Sequence, residues 1–264
     1  MGTIDDHWEQ QFSKTGSFLH DVARGRVRGS YQYSTHGVTT FASATDDEIV
    51  RPGGGNFIDV PNISGVQMSV VSTAAADTFS AGTGIRSIIL EYLDGNLDTQ
   101  EELIILDGLT PVLTAAIDIR WIQTMTMVTA GSNLKASGDI TMSNGGVTYI
   151  QISVDDRTSH TSLRRVPRGK RFMVDSVYVG VTSETAAAKA KVSLVATLQN
   201  KVDQQETGLY YHQLHFGLQD SSFGITLNLP VLIPAGHIFG LAATIDKAAS
   251  ISGGVIGWIE DDDE

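Results

Sequence analysis

His212 and His215 are spaced H-x-x-H, with Asp220 five residues further on, and these are the residue types of a metal site. On a strand, however, residues three apart face opposite sides, and a catalytic metal needs about three protein ligands around an open position. The spacing therefore favours packed histidines over ligands. Serine, histidine and acidic residues all occur, but no Gly-x-Ser-x-Gly elbow presents a nucleophile, which weakens a hydrolase reading without closing it. Asp46-Asp47-Glu48 and Asp155-Asp156 have the chemistry of a glycosidase acid and nucleophile. Adjacent carboxylates in loops are ordinarily solvated. Gly53-Gly54-Gly55 and Gly82-Thr83-Gly84 lack the lysine and helix start of a phosphate loop and read as turns. No catalytic, metal or cofactor residue is assigned, no cofactor is expected, and the chain is read as not an enzyme.

Charge is more informative. Arg24, Arg26 and Arg28 form one basic group, and Arg164, Arg165, Arg168, Lys170 and Arg171 form another around Pro167. Against them stands the acidic run Glu260, Asp261, Asp262, Asp263 and Glu264. Guanidinium groups suit bidentate pairing with carboxylates, so these thirteen residues are the expected partner-docking set, the basic and acidic segments meeting across a subunit boundary. A formal net charge of -12 opposes broad nucleic-acid binding, which needs a basic surface. No apolar run reaches the ~20 residues of a membrane span, and Asp5, Asp6 and Glu9 stand where a signal peptide would be basic and then apolar. With no cysteine, disulfides, thiolate metal sites and cysteine nucleophiles are excluded.

The elements that must hold these residues read as strands. Residues 1–60 open with a short helix expected at Ile4–Phe12 and continue as a Gly-, Ser- and Thr-rich segment with few sustained apolar patterns, expected to be an extended arm. From residue 61 short apolar runs alternate with turn residues. Ile85–Tyr92 and Glu101–Leu106 are expected to form a hairpin across Asp94-Gly95, and Asn144-Gly145-Gly146 to turn between two further strands. Pro167-Arg168-Gly169 and Pro234-Ala235-Gly236 each lead into an apolar strand, as fits strand entry at a sheet margin. Ser183–Lys191 is a second helix candidate by propensity, with a loop as its alternative. The expected fold is all-β: an arm (1–60), a first β-sandwich (61–160) and a second, jelly-roll-like β-sandwich (161–264).

The run Phe18-Leu19-His20-Asp21-Val22-Ala23-Arg24-Gly25-Arg26-Val27-Arg28-Gly29, followed by His36-Gly37, resembles the opening of a group of tailed-bacteriophage virion proteins. The resemblance continues through Ser72–Thr78, Gly82–Ile88, Glu91–Asp94, Val128–Asn133, Gly138–Ile140 and Val166–Lys170. It implies a structural part of a virion, assembled in the host cytoplasm. A capsid cement or decoration protein is the first expectation, a homotrimer or dimer binding the major capsid protein. A tail, collar or baseplate fibre protein is the alternative within that class. From another class comes a carbohydrate-binding module or glycan-cleaving enzyme, because sandwiches often present such sites on loops or concave faces. Trp8, Trp121 and Trp258 are too dispersed in sequence to point to a tryptophan platform.

Overall fold

The structure, a computed structural model, describes residues 18–53, 64–183, 188–199, 206–219 and 222–262. The helix expected at Ile4–Phe12 lies outside them. A six-residue helix, α1 (Phe18–Ala23), leads into strands that build four antiparallel sheets.

Sheet I runs β1 (Tyr31–Ser34), β17 (Ala249–Asp261), β12 (Lys170–Thr182), β15 (Ser222–Ile233), with β2 (Gly37–Phe41) also on β17. Sheet II runs β11 (Arg164–Arg165), β16 (Ile238–Ile245), β13 (Lys189–Gln199), β14 (Glu206–Gln219), with β3 (Thr45–Ile49) also on β16. Sheet III is β6 (Thr99–Ile105), β5 (Ile85–Leu93), β8 (Trp121–Ala130). Sheet IV is β10 (Val147–Ile152), β9 (Ile140–Asn144), β4 (Ser69–Ser72), β7 (Val112–Leu113).

Each neighbouring pair of sheets shares a core. Phe172, Val174 and Val179 of sheet I meet Val192, Leu194 and Leu241 of sheet II. On the other side of sheet II, Val195, Ile238 and Ala242 meet Leu93 and Trp121 of sheet III. Ile88, Leu90 and Met125 of sheet III then pack on Val70, Ile140 and Met142 of sheet IV. Each such fully buried aliphatic or aromatic side chain is worth roughly 1.5–3 kcal/mol.

The expectation of two jelly-roll-like sandwiches behind an extended arm is corrected. The chain forms four sheets stacked face on face in the series I, II, III, IV, a four-bladed arrangement of the β-propeller kind. Two of its blades, sheets I and II, are built from strands distant in sequence. The arm is corrected with it: β1 and β2 extend sheet I and β3 extends sheet II. The polar text of Tyr31–Ser34 and Thr45–Ile49 concealed this, because a marginal strand gains its stability from ladder hydrogen bonds as much as from apolar burial. The helix candidate Ser183–Lys191 is also corrected where it is described. Lys189, Ala190 and Lys191 begin β13, laddered to β14 on one side and β16 on the other. Residues 184–187 lie outside the described residues.

The hairpin across Asp94-Gly95 is present, with Ser87 to Leu93 registered on Ile105 to Thr99. Gly145, Gly146, Gly169 and Gly236 all have positive φ in the expected turns, where glycine avoids the Cβ penalty.

Two polar devices hold the stack. The fully buried Asp77 carboxylate accepts hydrogen bonds from the backbone N–H groups of Ile85 (2.8 Å), Ser137 (3.0 Å) and Gly138 (3.0 Å) and from the Ser72 hydroxyl (2.7 Å), tying loops of sheets III and IV together. Between sheets III and II, Gln123 uses its amide like a strand partner. Its Oε1 accepts from the Arg165 N–H (3.2 Å), and its Nε2 donates to the Arg165 carbonyl (2.5 Å).

Candidate functional site

Among the described residues, the fold brings together the chemistry-bearing side chains of His36, His160, Tyr178 and Asp156, on sheet I and the loop beside it. His36 sits in the turn between β1 and β2, and Tyr178 lies in the middle of β12, paired across the ladders with Gly254 and Gly224. The turn crosses β17 so closely that a Cβ on Gly254 would collide with the Thr35 carbonyl, so glycine at 254 is what lets residue 36 reach Tyr178.

The Tyr178 hydroxyl donates to the Thr35 carbonyl at 2.8 Å. Burial holds its pKa above the ordinary value of 10.0, so the proton is present at neutral pH. Having one proton only, the hydroxyl must accept from His36, whose Nδ1 lies 3.1 Å away. That fixes the His36 tautomer with the proton on Nδ1 and leaves Nε2 as an acceptor. The two rings are stacked, with centroids 6.0 Å apart and planes within 10° of each other. His160 stands across His36 at 89°, with centroids 5.4 Å apart, and its Nε2 lies 3.4 Å from Asp156 Oδ1. The His36 pKa is lowered from 6.5, first by burial and then by the charge of His160. His36 is solvent-exposed and Tyr178 and His160 half-buried, so the array presents aromatic ring surface with imidazole and carboxylate groups beside it.

Sequence reading missed this cluster. His36 and Tyr178 are 142 residues apart, and no local spacing signals their meeting. Of the expected docking residues, Arg164 and Arg165 are 5% and 1% exposed within this chain, and the Arg165 backbone is bonded to Gln123 of sheet III. Lys170 pairs with Asp261, and Arg171 with Glu260 (2.6 Å) and Asp262 (3.9 Å), all within one chain, because β12 and β17 are neighbours. Arg168 pairs with Asp98 at 3.0 Å. Arg24, Arg26 and Arg28 are exposed, and Arg26 meets Asp21 at 3.3 Å. Asp263 and Glu264 lie outside the described residues.

Of the H-x-x-H pair, exposed His215 shares a hydrogen bond with Ser193 (2.8 Å), while the His212 side chain and Asp220 lie outside the described residues. Among the described residues no group of three His, Cys, Asp or Glu is arranged to hold a metal. Trp121 is buried between sheets II and III, and Trp258 is covered by Phe18, with ring centroids 5.3 Å apart. Trp8 lies outside the described residues.

No family model matches the chain, and no curated protein matches it. Among solved structures, infectious bursal disease virus of the Gx strain aligns at 10% identity and a TM-score of 0.24, over 89% of this chain and 71% of that one. The Gt strain aligns at 11% and 0.17, over 88% and 70%, and the VP2 subviral particle of the same virus at 9% and 0.16, over 88% and 76%. Scores this low carry neither fold nor function. The resemblance to tailed-phage virion proteins is therefore corrected. It has no family match behind it, its expected jelly roll is replaced by the four-bladed stack, and the reading as a capsid cement, decoration or tail component goes with it.

Proposed function

We propose that this protein is a non-catalytic carbohydrate-binding protein whose sugar contact is the His36–Tyr178 surface. The observation that carries the proposal is the pair of near-parallel, hydrogen-bonded rings on the face of sheet I. A sugar ring has an apolar face of C–H groups and an edge of hydroxyls. Aromatic rings with polar handles match both parts at once. The rings receive the C–H face, while His36 Nε2 and the Asp156 carboxylate at the edge accept from hydroxyls. The rings are fixed in advance by the bonds from His36 to Tyr178 and from Tyr178 to Thr35, which lowers the ordering cost of binding.

Cleavage by the common route needs two carboxyl groups facing each other across the sugar. Here the carboxylate at the ring cluster, Asp156, is engaged with His160, which favours binding over turnover. A glycan array probed with the full chain, followed by a reducing-sugar assay on any hit, tests the proposal. Binding that is lost in Tyr178→Ala, without release of reducing ends, is the expected result. An array without signal, or a signal untouched by Tyr178→Ala and His36→Ala, overturns the binding site. Released reducing ends overturn its non-catalytic character.

A further inference from the structure

A concave site lies where sheets II and III meet, and none of the ring-cluster residues lines it. It is a cleft of about 310 Å³ between the β5–β6 turn and the β15–β16 turn, and Asn96, Leu97, Arg120, Arg168 and Gly236 are among its lining residues. We propose that this cleft binds a ring-sized sugar acid through its carboxylate, with Arg120 and Arg168 as the recognising groups.

The charge of the cleft is the starting point. Arg120 is only 4% exposed, and its Nη1 donates to the Gly95 carbonyl at 3.4 Å. A guanidinium withdrawn from water acts through a lower effective dielectric, so it attracts an anion in the cleft more strongly than a surface arginine would. Arg120 acts through this field, and the exposed planar fork of Arg168 is the group that meets the carboxylate. Arg168 lies at the mouth, 64% exposed, and pairs with Asp98 at 3.0 Å. Exposed pairs of this kind contribute ~0–1 kcal/mol, so an incoming carboxylate displaces Asp98 at little cost. Asp94 is engaged elsewhere: its Oδ1 accepts from the backbone N–H groups of Asn96 (2.8 Å) and Asp98 (3.0 Å), and its Oδ2 from Gln100 Nε2 (3.4 Å).

The walls are fixed before any ligand arrives. Leu97 is held at φ +67, a left-handed conformation costly for leucine, by the Asp94 bonds and by burial of its side chain at the II–III junction. On the opposite wall the Gly236 carbonyl accepts from buried Arg165 Nε at 3.0 Å, and the Gly236 N–H donates to Val166 at 2.9 Å. Strain maintained by surrounding bonds is characteristic of ligand clamps. The volume lies at the small end of ligand sites, which limits the occupant to about one sugar ring, and the exposed Asn96 amide is placed to meet a ring hydroxyl.

Calorimetric titration of the full chain with glucuronate, glucose and inorganic phosphate in separate arms tests this. Saturable glucuronate binding is expected, about ten-fold or more tighter than either other probe. Arg168→Ala and Asn96→Ala, both at exposed turn positions, are expected to weaken it. Asp98→Ala removes the competing carboxylate and is expected to tighten it a few-fold. Tyr178→Ala is expected to leave it unchanged, so this site and the ring surface succeed or fail separately. Equal affinity for glucose, equal affinity for phosphate, no saturation, or indifference to Arg168→Ala overturns the proposal.

Discussion

Sheets III and IV are drawn from one continuous stretch, residues 69–152, whereas sheets I and II are assembled from residues 31–49 and 164–261 together. In the continuous pair, short strands are joined by local turns, and one buried carboxylate, Asp77, gathers the loops. In the discontinuous pair, long strands such as β12 and β17 run side by side over most of their length, and the early strands complete the sheets from outside. The lesson is about where each pair is vulnerable. The first depends on a point, the second on the return of a distant segment, whose loop closure is an entropic cost that local hairpins avoid.

The largest test of that contrast is deletion of residues 1–49, which strips β1, β2 and β3 from sheets I and II. Loss of the cooperative melt of these sheets by circular dichroism is expected, with residues 64–160 retaining protease resistance. A variant that melts like the full chain would break the comparison.

Next is Asp77→Ala. It strands two buried backbone donors, a part-buried one and a hydroxyl, at roughly 1–3 kcal/mol for each buried group left unsatisfied. Partial relaxation brings the expected loss in urea unfolding to about 3–5 kcal/mol. Hydrogen exchange should rise around Ile85 and Ser137 and not in β12 or β17; a rise spread evenly over all four sheets would remove the distinction. Arg171→Ala, by contrast, removes a partly exposed ion pair with Glu260 and is expected to cost no more than about 1 kcal/mol. A larger loss would mean that the discontinuous pair also hangs on a single polar contact.

A finer effect is the pH response of sheet I. His36 has its folded pKa depressed below 6.5, so the unfolded chain binds its proton more readily than the folded one. Stability is then intact above pH 6.5 and declines as pH falls through the lower, folded pKa. Between pH 7.5 and 5.5, wild type should therefore lose more of its unfolding midpoint than His36→Asn does. Equal losses would show that the imidazole is not the titrating group.

The parts legible in the sequence were those fixed by neighbouring residues. Asp94-Gly95, Asn144-Gly145-Gly146, Pro167 and Pro234 mark turns because φ preferences and missing donors act within a few residues. What was not legible came from afar. Repeats normally announce a bladed fold, but here one blade takes strands from residues 31 to 261, so no period exists. Arg164 and Arg165 read as a charged surface, yet the II–III junction buries them. The His36–Tyr178 pair required knowing that the β1–β2 turn crosses β17 beside β12. The flanking Gly254 was the one hint, and a lone glycine is too common to act on.

The Gln123 amide has a mechanical consequence. Because it answers both the N–H and the carbonyl of Arg165, its two ends are no longer interchangeable, and it serves as one rung shared by two different blades. A slip of one residue between those blades would cost the amide both partners, because the N–H and carbonyl of the next strand residue point the other way. The stack is thus keyed like a lock at that rung, and whatever the cleft between the same two sheets receives meets walls that cannot slide.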